Sequence, residues 1–241
     1  MLASGGLFGS AAHNLGQLRR AYVSWVWVGI VLGIQALVAI GGGAEALVSW
    51  YEIFGLDRAG FLSGKVWQVF SYGLLHGSWW HVGLNALFVM AIGPRIEHMA
   101  GGKAMARAVV AGILGGGTCH LLLGNGLLVG LSGGCLGLLL LLTTLSPQSR
   151  MWPLPVSGKN LGLGIMAAAL FLALVNPALG LPGLSIVGRT LVEHGLGSWF
   201  QMGHACHFGG GLAGVLYGHL LLRVPVTLER LRRDRARREA N

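Results

Sequence analysis

The stretch AVVAGILGGGTCHLLLGNGLLVGLSGGCLGLLLLLTTLSPQS, residues 108–149, decides how this chain folds. Its 42 residues contain no charged side chain, about twice the length of one bilayer-spanning helix of ~20 residues. Gly124-Asn125-Gly126 is a strong turn signal and divides it into two apolar halves. The first half extends back to predict a full-length membrane helix near 104–123. The second half is short: Pro147 stops a helix at about Ser146, and Gly130 and Gly133 bracket its start at Ser132. The fourteen steps from Ser132 to Ser146 cover about 21 Å at 1.5 Å per residue. A hydrocarbon core is about 30 Å thick, so this helix should begin roughly 9 Å below one surface. Segment 124–131 must then dip inward to meet it. Irregular backbone at that depth is tolerated only beside protein or water, which predicts a hydrated pocket around Ser132.

The rest of the chain fits this reading. Of its 241 residues, 54% are apolar and 10% charged, and the mean hydropathy is +0.66. That is the profile of a polytopic membrane protein. The other charge-free windows are 21–44, 66–94, 160–188 and 194–222. Together they predict an all-α bundle of six spans near 21–40, 76–93, 104–123, 132–146, 160–179 and 203–222. Residues 1–20 form a small-residue lead, 21–223 the membrane domain and 224–241 a basic tail. The first connection, 41–75, holds seven aromatics from Trp50 to Tyr72 and reads as a structure lying in the membrane interface. Loops are expected at 94–103 and 147–159, and a Gly-rich, mobile connection at 180–202.

The formal charge of +9 is not spread like a nucleic-acid face. With both termini inside, 14 of the 17 Lys/Arg fall on inner segments: Arg19, Arg20, Arg95, Lys103, Arg107, Arg150, Lys159, Arg223 and six arginines in 230–238. This asymmetry predicts cytoplasmic termini. No aromatic stacking residues accompany the tail arginines, which reads against nucleic acid and for contact with an anionic leaflet. The basic pair Arg19-Arg20 lies at the wrong end of the lead for a cleavable signal. Cys119, Cys135 and Cys206 form no Cys-x-x-Cys pair and read as free, packed thiols.

Three polar patterns interrupt the apolar segments: His76-x4-His81-x3-Asn85, Gly130-Leu131-Ser132-Gly133, and His207-x2-Gly210-x3-Gly214-x3-Gly218. With 42 glycines in the chain, a Gly-x-Ser-Gly match arises by chance about 0.4 times, so Ser132 alone means little. All three patterns together are expected about twice in ten thousand such chains. They also share a depth. His81 lies fourteen steps before Arg95 and His207 sixteen before Arg223, roughly 21 and 24 Å.

A serine at a helix start, an imidazole and further donors at one depth match the needs of acyl transfer: a nucleophile, a base and oxyanion donors. Gly210 and Gly214 let the His207 helix approach the start of the Ser132 helix. His81 and Asn85, at i and i+4, share one helix face. The chain's two aspartates, Asp57 and Asp234, lie in a loop and the tail, so a Ser–His dyad is expected rather than a triad. No His-Glu-x-x-His occurs, which weighs against a metalloprotease. Cys135, one turn below Ser132, is the better thiol alternative to it.

On these residues the chain resembles the rhomboid intramembrane serine proteases of the basic six-span bacterial type, over roughly residues 60–223. The likeness also takes in Trp67-Gln68 and Gly93, Glu97 and Gly101. It implies Ser132 as nucleophile, His207 as general base, and His81, Asn85 and the Ser132 N–H as the oxyanion hole. His76, Gly130, Gly133, Gly210, Gly214 and Glu97 would support them. It further implies a transmembrane protein substrate, no metal or organic cofactor, a place in a bacterial inner membrane, and a site open to the outer side. One departure stands out: many rhomboids carry a tyrosine four residues after the serine, supporting the imidazole, and here that position is Leu136. The alternative is an inactive relative that binds transmembrane clients.

Overall fold

The computed structural model describes residues 18–41, 43–150, 155–223, 232, 235 and 236. Nearly all of the lead and most of the basic tail lie outside them. The described residues form helices joined by tight turns, with only two isolated β-bridges and no strand. In chain order the helices are α1 (Tyr22–Ile40), α2 (Gly43–Phe54), α3 (Arg58–Leu62), α4 (Gln68–Ser71), α5 (Trp79–Ala100), α6 (Gly102–Leu123), α7 (Ser132–Leu145), α8 (Gly158–Leu174), α9 (Leu184–Leu191) and α10 (His204–Leu222). The fold is the all-α, polytopic bundle expected from the apolar pattern. α1, α6 and α10 are each long and apolar enough to cross a membrane, while α7 and α8 are shorter apolar helices. Leu37, Leu87, Leu163 and Leu220 are exposed on the bundle's exterior, the arrangement expected when the solvent is hydrocarbon.

α7 sits centrally. It starts at Ser132 and spans 14 residues, and nine of them, including Gly133, Cys135 and Leu141, are buried. α10 packs most extensively against α7 and α6. These contacts depend on missing side chains. A Cβ at Gly210 would overlap the Gly133 carbonyl, one at Gly214 the Gly137 carbonyl, and one at Gly209 the Gly115 carbonyl. Only glycine lets backbones meet this closely.

Four sequence readings need correction. The connection expected at 94–103 is helix. α5 runs through Pro94 to Ala100 and turns into α6 at Gly101 alone, whose φ of 88° suits only glycine. Pro94 is buried, and packing holds the helix through a residue that ends helices in isolation. The outer connection at 180–202, read as a Gly-rich loop, holds α9 (Leu184–Leu191), a π-helical turn (Val192–Leu196) and a 3-10 turn (Gly197–Gln201). α8 stops at Leu174 rather than 179, because Pro177 disfavours helical backbone at Asn176 and starts a separate turn there. Tyr72, read as interfacial, is fully buried, and its hydroxyl donates to the Ile113 carbonyl at 2.7 Å.

Glu97 explains how α1 joins the bundle. Its carboxylate accepts from Val23 N (3.1 Å), Ser24 N (2.7 Å) and Ser24 Oγ (2.6 Å). It thereby caps a helix whose own N-cap, Ala21, offers no side-chain acceptor. One turn earlier, a Cβ at Gly93 would overlap Ser24 Oγ, so α1 and α5 cross at contact distance. Glu97→Ala leaves the part-buried Val23 and Ser24 N–H groups without their acceptor and is expected to cost about 2–3 kcal/mol. Thermal unfolding in detergent should show this as a fall of several degrees; an unchanged midpoint would remove the cap from the account.

Candidate active site

The segment before α7 is irregular, yet its polar backbone is paired. Leu56 and Leu128 exchange N–H···O bonds of 3.0 and 2.8 Å, and Gly130 N donates to Tyr72 O at 2.9 Å. His120 Nε2 lies 3.1 Å from the Gly126 carbonyl. Leu131 N donates to His76 Nε2 at 3.3 Å. His76 is buried and therefore holds the backbone that precedes Ser132. The start of α4 is pinned in turn to the end of α2, since Trp67 Nε1 donates to Ile53 O and Gln68 Nε2 to Glu52 O. Arg58 Nε caps α6 by donating to Leu121 O at 3.0 Å.

At the head of α7 the structure brings Ser132 and His207 together. Ser132 Oγ and His207 Nε2 are 3.0 Å apart. Both residues are half-buried, while their neighbours Gly133 and Cys206 are buried. His207 stands in the first turn of α10, where the Gly210–Gly133 contact one turn on fixes its distance from α7. Among the described residues no carboxylate bonds to its ring, and Leu136 has no hydroxyl to offer it. The His204 ring meets the His207 ring edge-on at 6.0 Å, and His204 Nε2 bonds the Trp199 carbonyl at 2.8 Å.

α5 supplies the opposite wall. Its N-cap Ser78 accepts from His81 N at 3.1 Å. The His81 ring lies over Gly130, where a Cβ would come within 2.7 Å of it. Gly130 also has φ of 123°, so both backbone and space require glycine there. His81 packs edge-on against His76, with centroids 5.0 Å apart. One turn farther along, Asn85 is buried and its Nδ2 has no partner. Its Oδ1 is 3.5 Å from Cys135 Sγ. A thiol donates there, which orients the amide with its N–H group free.

Glu97 belongs to another part of the molecule. Sixteen residues beyond His81 on the same helix, it is about 24 Å away and serves α1. The sequence reading misses Tyr72 here and takes Cys135 only as a thiol alternative to Ser132. Cys135 buttresses Asn85, and its position three after Ser132 was the available signal. Tyr72, 3.4 Å from Cys206 Sγ, packs behind both halves of the site, and nothing in its aromatic-rich surroundings distinguished it.

These residues place a hydroxyl and an imidazole within hydrogen-bond distance, with the buried Asn85 amide nearby on α5. The family model for the Rhomboid domain matches residues 63–224, well over half of the chain. No curated protein matches it significantly. The chain thus belongs to the rhomboid family of integral membrane proteins, whose members generally are serine intramembrane proteases.

Proposed function

We propose that this protein is an active intramembrane serine endopeptidase that cleaves transmembrane protein substrates through a Ser132–His207 dyad. The observation that carries the reading is the 3.0 Å contact between Ser132 Oγ and His207 Nε2. With the proton on Nδ1, Nε2 accepts the Ser132 proton as Oγ attacks the scissile carbonyl carbon. The resulting oxyanion is met by the Ser132 N–H, which has no acceptor in the first turn of α7, by Asn85 Nδ2, and by His81. Collapse breaks the C–N bond, and the imidazolium returns its proton to the leaving amine. Water, activated by the same nitrogen, then hydrolyses the acyl-enzyme.

Placing this chemistry below a membrane surface fits a substrate that arrives laterally and unwinds locally to expose one peptide bond. The charge asymmetry supports cytoplasmic termini and a site facing the outer side of a bacterial inner membrane.

Reconstituted in liposomes, the protein is expected to cut a model transmembrane substrate at one region, at a rate indifferent to EDTA. Loss of activity with chelator and its recovery with zinc would replace the serine mechanism by a metal one. Asn85→Ala should lower kcat by about 10²-fold with little change in KM, because the amide acts on charge present only in the transition state. An unchanged kcat would remove Asn85 from the oxyanion hole.

A further inference from the structure

At the opposite end of α7 from Ser132, a pocket of about 280 Å³ opens between the ends of α5 and α7. Its walls carry Arg95 and Arg150, with Ser146 and Ser149 beside them and Leu142 and Met99 as the apolar floor. His98 completes the rim. We infer that this pocket binds a phosphate-bearing anion, and specifically the headgroup phosphate of an anionic phospholipid.

The argument is one of unmatched charge. Both guanidinium groups are exposed, and among the described residues neither has a carboxylate partner. The nearest acid on the same helix, Glu97, caps α1 through three hydrogen bonds and does not line the pocket. Two like charges thus share one concavity with hydroxyl groups and, among the described residues, no internal counter-ion. A phosphate fits this donor set, because guanidinium groups bind its oxygens in forked pairs and hydroxyls donate a further bond.

Depth identifies the source of the phosphate. Ser146 closes the apolar run of α7, so the pocket stands where hydrocarbon gives way to headgroups. Met99 is exposed at the pocket's edge and offers an apolar surface for an acyl chain. Basic pockets at such a depth are suited to anionic headgroups. Assigning the pocket to the inner leaflet rests on the orientation proposed above; the binding itself does not.

The test is native mass spectrometry of the full chain extracted from vesicles of equal phosphatidylglycerol and phosphatidylcholine. The wild-type protein should retain phosphatidylglycerol, and Arg95→Gln/Arg150→Gln should reduce that retention about tenfold or more, each charge near a membrane surface being worth about fivefold. Lys103→Gln/Lys159→Gln, at the same end of the bundle, should leave it unchanged. Equal loss from both pairs would overturn the site in favour of diffuse surface charge, as would no loss from the arginine pair. Displacement of the lipid by millimolar inorganic phosphate would identify free phosphate as the ligand of the same site; resistance to it identifies the lipid. Ser132→Ala should retain lipid normally, so the fate of this site is read separately from that of the peptidase.

Discussion

Ser132→Ala is expected to abolish cleavage of a transmembrane substrate while leaving expression and thermal stability unchanged. The Ser132 hydroxyl makes one side-chain hydrogen bond, to His207, and its half-buried position leaves no cavity when the oxygen is removed. The structural effect should therefore be within about 0.5 kcal/mol. The catalytic effect should be at least ~10⁴-fold in kcat, because loss of the nucleophile removes the covalent route entirely. His207→Ala should fall nearly as far. The double variant should be no worse than Ser132→Ala alone, since residues that act as one unit are not additive. Initial rates in liposomes read all three. Appreciable turnover by Ser132→Ala would transfer the role to another group, and Cys135 is badly placed for it, being buried beneath the helix start.

The second large effect concerns folding. Gly210→Val places a branched side chain on the Gly133 carbonyl, an obstacle of backbone that cannot rotate away. Overpacking in cores costs about 1–3 kcal/mol, and a backbone clash belongs at or above the top of that range. We expect sharply reduced yield of folded protein. Any folded fraction should be slowed by about 10²-fold or more, because a displacement of about 1 Å between His207 and Ser132 is enough for that. Gly164→Val is the matched control: a Cβ there meets nothing within 4 Å, so yield and rate should stay near wild type. Equal damage from both substitutions would mean that glycine content rather than the α7–α10 contact is what matters.

Much of this architecture was legible because a few residues punctuate strongly. Pro147 and the Gly130–Gly133 bracket gave the limits of α7, and the glycine ladder after His207 indicated which helices meet. The i, i+4 spacing of His81 and Asn85 put both on one helix face. Other features were illegible for identifiable reasons. Pro94 reads as a helix stop, and only its burial against neighbouring helices reveals continuation into Ala100. The segment 180–202 has glycines that signal a loop, while the short helical turns it contains lack a long apolar period. Tyr72 and Cys135 act through contacts with residues 41 and 50 positions away in the chain. No local pattern carries such information. The cap that Glu97 gives α1 spans 73 positions and was equally invisible.

Leu136 gives the imidazole no polar support, and Tyr72 instead packs from behind against the α6 backbone and Cys206. His207 is positioned by helix contact, so the proposed catalysis depends on the same glycines that secure the fold.

The central claim is that one hydroxyl in a lipid-embedded bundle has been made nucleophilic by the ring beside it. Its most direct measurement is labelling of the solubilised, folded protein with a fluorophosphonate, which bonds phosphorus to an activated oxygen and expels fluoride. The account predicts a single adduct on the peptide containing Ser132, lost in Ser132→Ala and strongly diminished in His207→Ala. A folded protein that takes up no label, or takes it up equally well without His207, would contradict it.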